Sequence, residues 1–169
     1  MANNSNQSIN SPNNTLSSSE TPNLSLRLKY LDLSMATIQE SCLESLFEKC
    51  RDLKKVGLEN CRLNDTILFY LSKNRNLEIL HMSMAEGVTA QGLSHLNQGF
   101  LDTLVEVNLG WIGMNDKMVE EAVLLIGNNS RTLKRLNLSG CRESLTDNHV
   151  DFIAGVYSKL GNGISILGE

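Results

Sequence analysis

Apolar residues return along this chain in a fixed local pattern. In Leu133-Lys-Arg-Leu136-Asn-Leu138-Ser-Gly-Cys141, Leu136 and Leu138 alternate with polar Arg135, Asn137 and Ser139. This is the period-two signature of a strand with one buried face. So short a strand buries too little to stand alone, and it must stack on others of its kind. Those others lie upstream: Leu28, Leu31, Leu33 and Ala36; Leu53, Val56, Leu58 and Cys61; Leu77, Leu80, Met82 and Ala85; Leu104, Val107, Leu109 and Ile112. Successive starts are 25, 24, 27 and 29 residues apart. The ninth position is uncharged in every copy, which fits a side chain turned inward where the chain leaves the strand.

Between the strand-like stretches the apolar period lengthens to that of a helix. Leu43, Leu46 and Phe47 form one stripe, Met118, Ala122, Val123 and Ile126 another, and Val150, Ile153 and Val156 a third. Asn64-Asp65, Asn115-Asp116 and Thr146-Asp147 supply helix-start chemistry just ahead of such runs. Strand, turn and helix repeated at this period, with an L-x-x-L-x-L-x-x-C core, define an α/β leucine-rich-repeat solenoid. Its parallel strands line the concave side and its helices the convex side. Five repeats are complete. A sixth strand is expected where Ile164 and Ile166 fall 31 and 33 residues after Leu133. The chain stops at Glu169 before any turn or helix, so the array reads as truncated, with Ile164 to Leu167 an unpaired edge. Residues 1–24 are Asn, Ser, Thr and Gln with almost nothing apolar, a composition too polar to offset its ordering entropy. The expected division is a disordered tail over 1–24 and a repeat domain over 25–169.

Composition sharpens this picture. Aromatics make up 5% of a chain that is 41% hydrophobic, so the core is aliphatic. The formal net charge of -4 argues against a nucleic-acid surface. No apolar run approaches a membrane span, and the stretch after Met1 is rich in Asn and Ser rather than a signal sequence. The expected location is nuclear and/or cytoplasmic. There, sequons such as Asn23-Leu24-Ser25 carry no meaning, and Cys42, Cys50, Cys61 and Cys141 are expected as free thiols. His81, His95 and His149 are scattered, with no cysteine or carboxylate at ligand spacing, so no metal is expected. No P-loop, G-x-S-x-G or H-E-x-x-H is present. The chain is expected neither to catalyse a reaction nor to hold a cofactor.

Function should then reside on the repeated concave surface, where the third, fifth and seventh positions of each repeat point outward. Tyr30, Asp32, Lys55, Glu59, His81, Glu106, Asn108, Arg135 and Asn137 are the candidate partner contacts on that face. Their mixture of charges suits a protein more than a polyanion. Trp111, the only tryptophan, follows the fourth strand directly and joins the candidates, because Trp is enriched at binding hot spots.

The ninth-position cysteine, the repeat length and the Asn/Thr-Asp helix starts resemble the cysteine-containing repeats of the F-box/leucine-rich-repeat family. Leu77 to Leu96, the Asn108-Leu-Gly-Trp111 step and Leu136-Asn-Leu-Ser-Gly-Cys141-Arg-Glu-Ser-Leu145 follow that family in order, and the resemblance covers residues 28 to 160. It implies the substrate-recognition part of an SCF-type E3 ubiquitin ligase (Skp, cullin, F-box), acting in ubiquitin-dependent degradation of cell-cycle-related substrates. It also implies Trp111 as a contact. The family's F-box, which docks on the Skp adaptor, has no counterpart ahead of Leu28, where no Leu-Pro start or helical run occurs. Binding of the Skp adaptor and cullin is therefore expected only of a longer form. The alternatives are a stand-alone repeat adaptor, or an enzyme-inhibitor-like binder without ligase recruitment.

Overall fold

A computed structural model of the protein describes residues 26–141 and 144–158. The expected tail and sixth strand, and the side chain of Val156, lie outside the described residues. Five strand–helix units follow one another: β1 (Tyr30–Asp32) and α1 (Glu40–Lys49), β2 (Lys55–Gly57) and α2 (Asp65–Leu71), β3 (Ile79–His81) and α3 (Ala90–Gly99), β4 (Glu106–Asn108) and α4 (Asp116–Asn128), β5 (Arg135–Asn137) and α5 (Asp147–Tyr157). The strands form one parallel sheet in chain order. Equivalent positions stand side by side: Leu31, Val56, Leu80, Val107 and Leu136 make one row across it. Each helix packs on the next, giving the second layer of the solenoid.

Each strand is three residues long, but the ladder runs on past it. The sixth-position N–H donates to the fifth-position carbonyl of the next repeat, as in Leu58 to His81 at 2.8 Å and Leu109 to Asn137 at 2.9 Å. The eighth-position N–H then donates to the next seventh-position carbonyl: Met35 to Glu59 at 2.8 Å, Asn60 to Ser83 at 2.9 Å, Met84 to Gly110 at 2.9 Å and Trp111 to Ser139 at 2.7 Å. That eighth residue is left-handed in all five repeats, with φ of 66° at Met35, 54° at Asn60, 55° at Met84, 59° at Trp111 and 73° at Gly140. A residue with a Cβ gives up about 1–2 kcal/mol there. The step sends the next side chain inward, and Cys61, Ala85, Ile112 and Cys141 are all buried.

The ninth-position cysteines do more than fill space. Cys61 Sγ donates to the Leu33 carbonyl at 3.1 Å and Cys141 Sγ to the Leu109 carbonyl at 3.5 Å, one repeat back in each case. Burial pushes both thiols above their ordinary value. All four cysteines are free.

Helix starts fall where the sequence placed them. Asn64 accepts from the Ile67 N–H at 2.9 Å, and Asn115 from that of Met118 at 3.1 Å. Thr146 accepts from the His149 N–H at 3.4 Å. Thr89, not anticipated, caps α3 through the Gly92 N–H at 3.2 Å. Two buried asparagines behind the helices tie consecutive repeats. Asn74 accepts from the Leu53 N–H at 2.9 Å. Asn129 accepts from Thr103 and Leu104, both at 3.0 Å, and donates to the Phe100 and Leu125 carbonyls.

One expectation is corrected. Leu28 opens the first repeat as Leu53, Leu77 and Leu104 open theirs, yet it is 38% exposed where they are fully buried. Ala36 is likewise only half-buried. Inner repeats are covered from both sides, whereas β1 has a neighbour on one side only among the described residues.

Leu109→Ala, at the sixth position of an inner repeat, and Leu136→Ala, at the buried fourth position of the last described repeat, should each lower stability in urea unfolding by about 2–5 kcal/mol. A loss below about 0.5 kcal/mol, the scale of a surface change, would show the register to be wrong.

Candidate protein-binding face

The sheet's outward side chains form rows because the strands are in register. Across the third positions run Tyr30, Lys55, Ile79, Glu106 and Arg135, and across the fifth run Asp32, Gly57, His81, Asn108 and Asn137. All ten candidate residues therefore lie on or beside one surface. They do not form one cluster.

His81, Glu106 and Arg135 come together. Glu106 Oε1 lies 3.0 Å from His81 Nε2, and Glu106 Oε2 accepts from Arg135 Nε at 2.8 Å and from its terminal nitrogen. Partial burial pushes the Glu106 carboxyl up, but hydrogen bonds from Arg135 and His81, with their charges, bring it below its ordinary value. Glu59 and Asn108 form a second group. Glu59 Oε1 accepts from Ser83 Oγ at 2.7 Å and from Asn108 Nδ2, two repeats away, at 2.8 Å. Both groups, with Asn137, line a shallow depression of about 370 Å³.

Asp32, Asn108 and Asn137 share a further duty. Each accepts, through a side-chain oxygen, the N–H of the residue two further on: Ser34 at 3.0 Å, Gly110 at 3.1 Å and Ser139 at 2.9 Å. These Asx turns steady the end of the strand. The Ser34 N–H bond, with a further one from its hydroxyl, holds the Asp32 carboxyl below its usual range. Gly57 has the fifth position of its repeat free of a side chain because Asp32 Oδ1 would stand 2.4 Å from a Cβ there.

Tyr30 lies at the other end of the face, 70% exposed, beside Lys55. Trp111 is on the rim where the strands end, 58% exposed, with its indole laid over Gly140: a Cβ on Gly140 would come within 2.4 Å of the ring. Sequence reasoning missed Met35 and Met84, exposed on the same rim. The signal available was a bulky apolar residue at the eighth position, where Asn60 and Gly140 show what the backbone prefers.

Among the described residues no three His, Cys, Asp or Glu side chains are grouped to hold a metal ion. No described helix is long and apolar enough to cross a membrane.

A family profile described as the SKP2 LRR domain matches residues 7–161. The chain belongs to the SKP2 leucine-rich-repeat family. Its leucine-rich repeats are thus a protein-binding module. The SKP2-type match begins within the polar stretch that composition sets apart as a tail.

The charge network has a pH signature. Glu106 titrates lower folded than unfolded, so its contribution is complete above the unfolded carboxylate range and is lost as pH falls through the folded value. Arg135→Ala should raise the Glu106 titration seen by carboxyl-detected NMR. An unchanged titration would show that the guanidinium does not engage Glu106 in solution.

Proposed function

We propose that this chain is the substrate-recognition part of an SCF-type E3 ubiquitin ligase, acting in the nucleus and/or cytoplasm. The match to the SKP2 LRR domain over residues 7–161 carries the reading. The exposed Tyr30 and Trp111 on a face of mixed charge support it, because aromatic side chains on a polar surface are the usual anchors of protein interfaces. Ubiquitin transfer belongs to partner subunits in this reading. The repeats hold a target protein near the transfer site, and their contribution is proximity. The targets are proteins marked for degradation, by resemblance those of the cell cycle.

The test is to tag the gene product at its own locus and compare it with Lys55→Glu and Trp111→Ala forms. The expected result is co-purification of the Skp adaptor and cullin with a longer, F-box-bearing form of the tagged protein. At least one protein lost from the variants should be ubiquitinated and should live longer in the variant cells. Proteins that depend on the concave face but arrive without Skp or cullin, and whose lifetimes do not change, would make the chain a stand-alone adaptor instead. An enzyme captured and silenced would make it an inhibitor.

A further inference from the structure

The floor of the concave sheet has few polar groups left to offer. Asp32, Asn108 and Asn137 each give an oxygen to their own backbone, Glu59 is held by Ser83 and Asn108, and Glu106 by His81 and Arg135. In the first four repeats the sixth- and eighth-position N–H groups are used up in the ladder to the next repeat. What remains is on the two rims, and these differ in chemistry.

At the second and third positions, where the strands begin, stand Lys29, Lys54, Lys55, Lys134 and Arg135, and the carboxylates at those same positions are Glu78 and Glu106. Each of those acids is already in an ion pair, with Lys54 at 2.8 Å and with Arg135. Among the described residues Lys29, Lys55 and Lys134 have no ion pair. This is a cationic rim on a chain of net charge -4.

Where the strands end, Met35 is 68% and Met84 49% exposed, and Trp111 extends the apolar line over Gly140. All three have left-handed backbone, which disfavours a residue with a Cβ. Exposed as they are, they recover little of that cost by burial. Strain retained at an exposed apolar side chain points to a task at the surface.

We propose that the concave face docks an amphipathic α-helix of a partner protein, lying across the strands, its acidic flank on the lysine rim and its apolar flank on Met35, Met84 and Trp111. The proposal rests on the concave-face binding described above and names the partner's chemistry. Dimensions favour a helix. From the third to the eighth position is about five residues, roughly 16 Å at strand rise. That span admits the ~10–12 Å width of a helix. Neighbouring repeats lie about 4.8 Å apart, close to the helix pitch of about 5.4 Å. Apolar residues one turn apart therefore meet successive repeats. An extended segment lying across the inner strands would seek backbone partners that the ladder has already taken.

The experiment is selection of a displayed library of helix-forming peptides, about 14 residues long, against the full chain. Trp111 emission is the readout, since it is the only tryptophan. The enriched peptides should be helical, carry Asp and Glu along one flank and apolar residues one turn apart, and shift Trp111 emission to the blue. Lys55→Glu and Met84→Asn should each weaken them about tenfold or more. Met84→Asn should at the same time leave the melting temperature unchanged or raise it, because Asn tolerates the left-handed conformation. No enrichment, or enrichment of basic or extended peptides, overturns the helix. If such peptides still lose binding in Arg135→Glu or Trp111→Ala, the concave-face reading stands without it. Peptides indifferent to every concave substitution overturn both.

Discussion

The sixth- and eighth-position N–H groups of a repeat reach carbonyls of the next one, and the leucines of the inner repeats are covered by the repeats on either side. No repeat could hold this shape alone. Three-residue strands bury too little, and stability in such a stack is a sum over neighbours. The first repeat shows the dependence directly, since Leu28, Leu31 and Leu33 lose part of their cover where only one neighbour stands beside them among the described residues. Buried Asn74 and Asn129 and the thiols of Cys61 and Cys141 add polar ties across the same junctions. Each satisfies a backbone group that would otherwise be buried without a partner.

The same register that builds the core sorts the surface. With equivalent positions side by side, the third, fifth and eighth residues of five repeats become continuous rows, so side chains far apart in the chain meet across the sheet, as Glu106 meets His81 and Arg135. Asp32, Asn108 and Asn137 at the fifth position turn back to the chain, and the face keeps its shape without help from a partner. Cations and apolar side chains at the two rims remain available. A binding module of the SKP2 family thus has a rigid floor with chemistry at its edges.

Most of the fold was legible in the sequence, because a repeated multi-position pattern averages out local ambiguity. Leu31, Val56, Leu80, Val107 and Leu136 fall in one sheet row as the repeat starts require, and the capping roles of Asn64 and Asn115 follow from their positions ahead of apolar runs. Thr89 was passed over because Ala90 rather than an acid follows it. The candidate face was legible as a surface and not as a site. Alternation says that Asp32 and Asn137 point outward, but not that each bonds the N–H two residues on. Nor does it say that Glu59 spans two repeats to Asn108. Those contacts depend on small neighbours such as Gly57, Ser83 and Gly110, which single-strand periodicity ignores. The left-handed eighth position was hidden for a related reason: its occupants, Met35, Asn60, Met84, Trp111 and Gly140, share a backbone conformation and no side-chain property.

The account depends above all on the ladder continuing past the strands to the eighth position, where side chains are exposed while their amides bond the next repeat. Hydrogen exchange measured residue by residue separates these two properties. The amides of Met84 and Trp111 should be protected to the same degree as those of Leu58 and Leu109, although both side chains are open to solvent. Exchange at Met84 and Trp111 as fast as at exposed Gly113 would contradict the account, since the repeats would then be joined by their three-residue strands alone.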